Sequence, residues 1–128
     1  MTTDKFMNIA IFFAVTAVAL GALGAHALKE ILTDNQLHSF ETGLRYQFFH
    51  ALAILFLALN TQKFNPKLNI SLYLMTTGIF CFSFSIYLLS LQGILGFSLS
   101  FLGPITPIGG LLLISAWIML FFSIKKQA

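Results

Sequence analysis

Three histidines and one charged pair are the residues through which this sequence could do chemistry. His26 and His50 each lie in or at the edge of an apolar stretch, and His38 precedes Glu41 by three residues. An imidazole can bind a metal or haem iron, move a proton, or hydrogen-bond across helices. Two histidines on neighbouring helices would suit haem, and His38 with Glu41 would suit zinc or copper at a surface.

No spacing in the chain completes a metal or catalytic signature. There is no His-Glu-x-x-His motif, and a single cysteine, Cys81, excludes an intramolecular disulfide and a cysteine cluster. No acid lies within an apolar stretch to orient a histidine for a serine nucleophile. We therefore expect a non-enzymatic protein without a metal or cofactor, and we interpret Cys81 as a small buried thiol.

The segment from Phe40 to Leu52 holds the largest single group of candidate site residues. Glu41 and Arg45 are four residues apart, so they can pair on one helical face near a membrane boundary. Along the helix axis His50 lies about 7 Å deeper than Arg45. A histidine at that depth needs hydrogen-bond partners, because an unpaired polar group in hydrocarbon is costly. The candidate partners are Tyr46, His26, Ser83 and Tyr87.

The start of the last apolar stretch carries a second signal. Thr106 is expected to be an N-cap, with Pro107 at the first helical position. Gly109-Gly110 would leave the first turn uncovered, and exposed amides at a helix N-terminus attract anions. The same glycines could instead admit a bulky side chain from a neighbouring helix, and we favour this packing interpretation.

Composition shows what must position these residues. Hydrophobic residues make up 58% of the 128 positions and charged residues 9%, against about 45–50% and about 25% in soluble chains. So few charges cannot coat a soluble domain, and the basic residues form no patch for nucleic acid. We expect a single membrane domain over residues 1–128, embedded in a lipid bilayer.

Four apolar stretches predict four transmembrane helices, at residues 6–28, 44–60, 68–91 and 107–124. A helix needs about 20 residues to cross the hydrocarbon core. The second stretch is shorter, but Thr33 and Gln36 match a capping box, so helix 2 is expected to start near Asp34. Short connections predict an antiparallel all-α bundle.

The first stretch has an alternative interpretation as a cleavable signal peptide. Lys5 precedes an apolar run, and Ala25-His26-Ala27 resembles a small-x-small cleavage site. The run is longer than a typical signal-peptide core, so we favour a retained helix. Small residues recur along it at helical spacing, which favours close helix packing, within the subunit rather than between subunits: Ala10, Ala14, Ala17, Gly21 and Ala25.

The connections between helices differ in character. Residues 61–67 form a short turn with the helix-breaking pair Asn65-Pro66. Residues 92–106 are uncharged, and Gly93, Gly96 and Gly103-Pro104 argue against continuing helix 3 through them. We expect this segment to lie in the membrane interface or to fold back over the bundle.

Lysine and arginine positions predict the orientation. Five lysines fall on the side that carries both termini, and only Lys29 and Arg45 fall on the other side. The excess of positive charge marks the cytoplasmic side. We therefore expect both termini in the cytoplasm and the protein in the inner (plasma) membrane.

On this topology the polar residues gather in the outer half of the bundle. The inner half has little beyond Asn60, Tyr73, Thr76 and Thr77. The outer group comprises His26, Glu41, Arg45, Tyr46, Gln47, His50, Ser83, Ser85, Tyr87, Ser90, Gln92, Thr106, Gly109 and Gly110. This asymmetry predicts a buried polar cluster that either binds a ligand or holds the helices together.

Four motifs in this order resemble the small four-span membrane family known as domain of unknown function 423, and eukaryotic transmembrane protein 256 is similar. They are Gly-Ala-Leu-Gly-Ala-His-Ala-Leu at 21–28, Phe-Glu-Thr-Gly-Leu-Arg-Tyr-Gln-Phe-Phe-His-Ala-Leu at 40–52, Phe-Ser-Phe-Ser-Ile-Tyr at 82–87 and Leu-Gly-Pro-Ile-Thr-Pro-Ile-Gly-Gly at 102–110. The resemblance implies the four-span fold. It departs at Phe84, where the family often has glycine, and it implies no activity.

Three function classes follow from these features. The leading expectation is a binding protein whose outer cluster takes a small ligand, a lipid or a partner subunit, as a homo-oligomer or in a larger membrane complex. One alternative is a small oligomeric transporter or channel that conducts past His26, His50 and the start of helix 4. The other is a haem- or metal-binding membrane enzyme.

Overall fold

The computed structural model describes residues 2–126, which form helices joined by short turns and loops, with one isolated bridge. Its four long helices are α1 (Thr3–His26), α2 (Asp34–Leu59), α3 (Leu68–Leu95) and α4 (Ile105–Ser123). All four are long and apolar enough to cross a membrane. The all-α, four-span prediction is confirmed.

The start of α2 is set by its capping box, as the sequence predicts. The Thr33 hydroxyl accepts a hydrogen bond from the Gln36 amide, and the Gln36 side chain accepts one from the Thr33 amide. These bonds satisfy two backbone groups that the first helical turn leaves open. The helix then runs without interruption from Asp34 to Leu59.

α3 is longer and less regular than predicted. It passes through Gly93 and continues to Leu95, where Gly96 ends it in the left-handed region with a φ of 81°. Glycine adopts this conformation without the steric cost of a Cβ atom. Between two α-helical parts, Leu68–Ile79 and Ser85–Leu95, the backbone forms a π-helical turn at Phe80–Phe84. The sequence gives no indication of this turn.

The predicted start of the fourth helix is wrong by two residues. α4 begins at Ile105 with Pro104 at the N-cap position, and no side chain caps it. Thr106 is therefore inside the helix, and its hydroxyl hydrogen-bonds across to Ser85 on α3. A short 3-10 turn at Ser100–Leu102 precedes the helix.

Consecutive helices pack against each other, α1 on α2, α2 on α3, and α3 on α4. α1 buries a face at helical spacing, comprising Phe6, Ala10, Phe13, Ala17 and Gly24. Ala10 and Ala17 of the predicted small-residue stripe thus pack within the subunit, whereas Ala25 is exposed. The opposite faces of α1 and α4 expose large apolar side chains, as helices facing lipid do.

The bundle has two distinct ends. At the terminal end, an isolated bridge joins Phe64 to Ile124, and the Asn65 amide donates to the Ser123 carbonyl. At the opposite end, which we call the connection end, lie the 27–33 and 96–104 segments. There the Gln92 side chain accepts a hydrogen bond from the Leu99 amide at 2.9 Å. Each bond satisfies backbone that would otherwise be unpaired beside lipid.

Candidate functional site

Gln47 is the centre of a closed polar network that joins three helices. Its side chain is fully buried, with 0% of its surface exposed. The amide nitrogen donates to the Phe13 carbonyl at 2.8 Å and to the Thr16 hydroxyl at 2.7 Å on α1. The amide oxygen accepts from the Tyr87 hydroxyl on α3 at 2.7 Å. Gln47 therefore has no N–H group free to donate to a ligand. Its hydrogen bonds instead fix the relative positions of α1, α2 and α3.

Serine hydroxyls add a second link between α2 and α3 and a link between α3 and α4. Ser83, in the π-helical turn, donates to the Gly43 carbonyl of α2 at 2.8 Å. Ser71 donates to the Ala116 carbonyl of α4 at 2.8 Å, in the half of the bundle nearer the termini. Ser71 and Ser123 are both fully buried there, so the predicted confinement of polar residues to the outer half is only partly correct.

His50 bridges α2 to α4 and has both ring nitrogens engaged. The Trp117 indole donates to its Nε2 at 3.0 Å, and its Nδ1 lies 2.7 Å from the Tyr46 carbonyl oxygen. An indole N–H can only donate, so Nε2 is the acceptor and Nδ1 carries the proton. The imidazole is therefore neutral, with no nitrogen left for a metal or haem iron. Tyr46 and His50 also stack, with ring centroids 6.1 Å apart.

The predicted pairing of His26 with His50 is wrong. His26 is exposed at the last residue of α1. The α1 residues level with the middle of α2 are Phe13 and Thr16, and Thr16 lies about 15 Å of helix rise from His26. His26 is the last residue of α1, and α2 begins level with that end. His50 lies well along α2, so the two histidines are at different depths in the bundle.

The predicted ion pair between Glu41 and Arg45 is also absent. Both side chains are exposed. Within residues 2–126, neither forms a hydrogen bond or ion pair with another side chain. Spacing by four residues permits such a pair but does not enforce it, because holding two long exposed side chains together costs conformational entropy.

Of the two glycines near the start of α4, Gly109 is the one that helix packing requires. A Cβ atom at Gly109 would lie 2.8 Å from the Phe82 Cα and would also collide with its amide nitrogen. A Cβ atom at Gly110 would meet the Phe82 ring at an ordinary 3.8 Å. The absence of a side chain at Gly109 thus allows α4 to approach the backbone of the π-helical turn, while Gly110 has room to spare.

Between α2 and α4 the bundle remains open to one side. This α2–α4 groove has a volume of about 520 Å³ and is lined by Arg45, Tyr46, Phe49, His50, Ala53 and Trp117. The His50–Trp117 hydrogen bond crosses it, and Trp117 keeps 48% of its surface exposed. Arg45 is the one charged group among the lining residues.

A second cavity of about 470 Å³ lies nearer the connection end, between α2, α3 and the first turn of α4. Most of its lining surface is carbon, and we call it the polar cavity after the asparagine, glutamine, serine and threonine residues that also line it. It is lined by Asn35, Gln36, Ser39, Ile86, Leu89, Ser90, Gly103, Thr106 and Pro107. On α2, Asn35 and Ser39 fall on the same helical face as Tyr46 and Ala53. On α4, Thr106 and Trp117 are eleven residues, or three turns, apart and also share a face. The polar cavity and the α2–α4 groove therefore lie in line.

Some of these residues were not among the predicted site residues. Thr16, Ser71 and Trp117 all make hydrogen bonds between helices. The chain has a single tryptophan, in the middle of an apolar helix, and a buried indole N–H needs an acceptor. That signal would have indicated a partner for Trp117, although not which one.

Known relatives match this chain in sequence over nearly its whole length. The family model described as a protein of unknown function (DUF423) matches residues 20–110. The chain belongs to the DUF423 family. The match covers α2, α3, most of the connection end and the first turn of α4, and so includes both the polar cavity and Arg45.

Individual DUF423 relatives support the same assignment. A UPF0382 membrane protein of Staphylococcus aureus is 37% identical over 123 residues, covering 96% of this chain and 97% of the relative. UPF0382 membrane protein YwdK of Bacillus subtilis is 37% identical, covering 94% and 96%. A UPF0382 membrane protein of Haemophilus influenzae is 35% identical, covering 97% and 96%. No solved structure matches the chain. The protein is thus a multi-pass membrane protein with four spans.

Proposed function

We propose that this DUF423 protein binds a phosphate-bearing lipid in the α2–α4 groove, with its phosphate at Arg45 and an acyl chain between Phe49, Ala53 and Trp117. The observation that carries the proposal is the order of the lining residues. A lone guanidinium stands at one end of the groove, and aromatic and aliphatic side chains continue from it along α2 and α4. The volume falls in the range of about 300–1,000 Å³ typical of small-molecule sites.

The length of α4 supports placing Arg45 at a membrane boundary. α4 has 19 residues, which rise about 28 Å, close to a hydrocarbon thickness of about 30 Å. Its first turn is level with Ser85 of α3, since Thr106 and Ser85 hydrogen-bond at 2.6 Å. Ser83 in turn bonds to Gly43, two residues before Arg45. Arg45 therefore lies about 6 Å of helix rise deeper than the first turn of α4. Its long side chain can reach back towards the boundary where lipid phosphates lie.

Arg45 has the chemistry that a lipid phosphate requires. It is exposed and, within residues 2–126, makes no hydrogen bond or ion pair with another residue. A guanidinium presents a planar set of donors that fits phosphate oxygens, and it stays charged. No acidic residue lines the groove, so an anionic group there meets only attraction.

The floor of the groove favours binding over catalysis. His50 and Trp117 satisfy each other's hydrogen-bonding groups, and the second His50 nitrogen is bonded to the Tyr46 carbonyl oxygen. The remaining lining atoms are largely carbon. This surface offers an acyl chain van der Waals contact, and the His50 imidazole is not free to act as a base.

We further propose that the terminal end faces the cytoplasm, which would place the α2–α4 groove in the outer leaflet. Lys5, Lys63, Lys67 and Lys125 belong to the terminal end, whereas Lys29 and Arg45 belong to the connection half. Labelling of single cysteines by a membrane-impermeant reagent in intact cells, in a Cys81→Ala background, tests this orientation. A cysteine at position 98 should be labelled and one at position 62 should not; the reverse pattern would refute the orientation.

Native mass spectrometry of the purified protein in a phosphate-free detergent tests the lipid proposal. Phosphatidic acid should be retained more tightly than diacylglycerol with the same chains, because only the first carries a phosphate. Arg45→Gln should weaken phosphatidic acid binding about fivefold, the effect of about 1 kcal/mol for one basic residue at a membrane surface.

Lys29→Gln is the matched control, since Lys29 is an exposed cation at the same end but outside the groove. It should leave phosphatidic acid binding unchanged. If Lys29→Gln and Arg45→Gln reduce binding equally, the attraction is general to surface charge and the site is not the groove. If neither lipid is retained, or if retention requires a second copy of the chain, the lipid proposal is wrong.

A further inference from the structure

The polar cavity lies in line with the α2–α4 groove at the connection end and contains donors and acceptors that the fold does not use. Its polar lining includes the Asn35, Ser39 and Ser90 side chains, together with the first turn of α4. Within residues 2–126, none of these three side chains makes a hydrogen bond, unlike the buried serines at positions 71, 83 and 123.

Ser90 is the decisive residue in the polar cavity. It is 5% exposed, so it is held inside the bundle, yet its hydroxyl has no hydrogen-bond partner in the described part of the chain. No fully enclosed side-chain oxygen or nitrogen there lacks a partner, so the Ser90 hydroxyl must reach open space. That space is the polar cavity and a smaller adjoining one of about 190 Å³ that Ser90 also lines. A hydroxyl in this position is placed to bond to a guest molecule.

The first turn of α4 adds a positive field to the polar cavity. Pro104 occupies the N-cap position and no side chain caps the helix, so the Ile105 and Thr106 amides are not satisfied by a capping group. Open amides at a helix N-terminus, together with the helix dipole, favour negative or strongly electronegative groups. The Thr106 hydroxyl is hydrogen-bonded to Ser85 on α3.

Charge excludes one class of headgroup. No Asp or Glu lines the polar cavity, so a choline or ethanolamine cation would find no counter-charge and would face the positive end of α4. Hydroxyl groups can both donate to and accept from serine and asparagine side chains. We infer that the polar cavity is the headgroup subsite of the lipid site and that it selects a hydroxyl-bearing phosphodiester headgroup, of which glycerol is the simplest. This inference rests on the proposed lipid binding at Arg45.

A headgroup panel in the same detergent tests the inference with phosphatidylglycerol, phosphatidylcholine and phosphatidic acid carrying identical chains. Phosphatidylglycerol should be retained at least fivefold more tightly than phosphatidylcholine. Ser90→Ala should reduce that preference by about fivefold, as expected for one lost hydrogen bond, and should leave phosphatidic acid binding unchanged. Ser39→Ala, at an exposed position that tolerates truncation, should reduce the preference in the same direction.

Ser98→Ala is the matched control, because Ser98 is an exposed serine at the same end that does not line the polar cavity. It should change neither affinity nor preference. Equal retention of phosphatidylglycerol and phosphatidylcholine would overturn the headgroup inference, as would a Ser90→Ala effect equal for phosphatidylglycerol and phosphatidic acid. Either result would leave lipid binding at Arg45 intact, because that proposal depends on phosphatidic acid against diacylglycerol.

Discussion

The polar side chains on the two sides of α2 differ in whether they are paired within the protein. Towards α1 and α3, Gln47 is fully enclosed. Its amide nitrogen donates to Phe13 and Thr16, and its amide oxygen accepts from Tyr87. Towards α4, Arg45 is exposed and has no hydrogen-bond or ion-pair partner among residues 2–126. The α2–α4 groove is bridged at one point by His50 and Trp117. Where the protein satisfies its own polar groups they stabilise the fold, and where it does not they are available to a ligand.

Glycine placement explains why one side closes and the other stays open. Gly109 draws α4 onto the backbone of α3 at Phe82, and Gly78 leaves space for Leu113 of α4. Gly43 similarly admits the Tyr87 ring between α2 and α3. Gly43, Gly78 and Gly109 thus favour α3 as the partner of both α2 and α4. α2 and α4 are left to meet through long side chains.

The substitution with the largest predicted effect disrupts the close contact between α3 and α4. Gly109→Ala forces the Phe82 backbone and α4 apart, and the expected loss of stability is about 3 kcal/mol, the upper part of the overpacking range. Gly110→Ala is the matched control and should be neutral or slightly stabilising, because its Cβ atom has room and alanine favours helix. Reversible unfolding in mixed micelles measures both variants. Similar stabilities for the two would show that the close approach at Gly109 does not hold α4.

The second prediction concerns the closed side of α2, which faces α1 and α3. Gln47→Leu removes the hydrogen bonds to α1 and leaves the Tyr87 hydroxyl buried without its acceptor, which should cost about 2 kcal/mol. Adding Tyr87→Phe should recover part of that loss, because the unpaired hydroxyl is then gone. A double-mutant cycle should give a coupling energy between about 0.6 and about 1.7 kcal/mol, as measured for hydrogen bonds between membrane helices. Additive effects would mean that the two side chains do not interact.

The smallest predicted effect lies on the open side. Trp117→Phe keeps an aromatic ring in the α2–α4 groove but removes the indole N–H that donates to His50. The expected loss is about 0.6 kcal/mol, because a half-exposed bond contributes no more than the average membrane hydrogen bond. The same unfolding measurement applies. A loss as large as that of Gln47→Leu would contradict the distinction between a closed and an open side.

Local chemistry made part of this fold predictable. The four spans follow from apolar runs of membrane length, and Thr33 and Gln36 predict the start of α2 because a capping box acts within one turn. Buried polar residues such as Gln47, His50, Ser83 and Tyr87 could be identified because lipid tolerates few of them. These predictions depend on neighbours in sequence or on composition alone.

The pairing of polar residues could not be predicted, because it depends on how far each helix is shifted and rotated against the next. The π-helical turn at Phe80–Phe84 rotates the second half of α3, and α4 starts about 15 Å of helix rise below the end of α3. The shift of α4 brings Trp117 to His50. His26 is separated from His50 by the alignment of α1 with α2, which places Phe13 and Thr16 level with Gln47. The functional role of the polar residues stays a prediction.

Trp117 provides the most direct test of the α2–α4 groove, because it is the one tryptophan in the chain and lies in the proposed acyl-chain site. Titration of the detergent-solubilised protein with phosphatidic acid brominated on its acyl chain should quench Trp117 fluorescence and reach saturation. Ala53→Phe should abolish the saturable phase by filling the groove, whereas Ala19→Phe, on the exposed face of α1, should leave it unchanged. Quenching that rises without saturation, and equally in all three proteins, would contradict lipid binding in the groove.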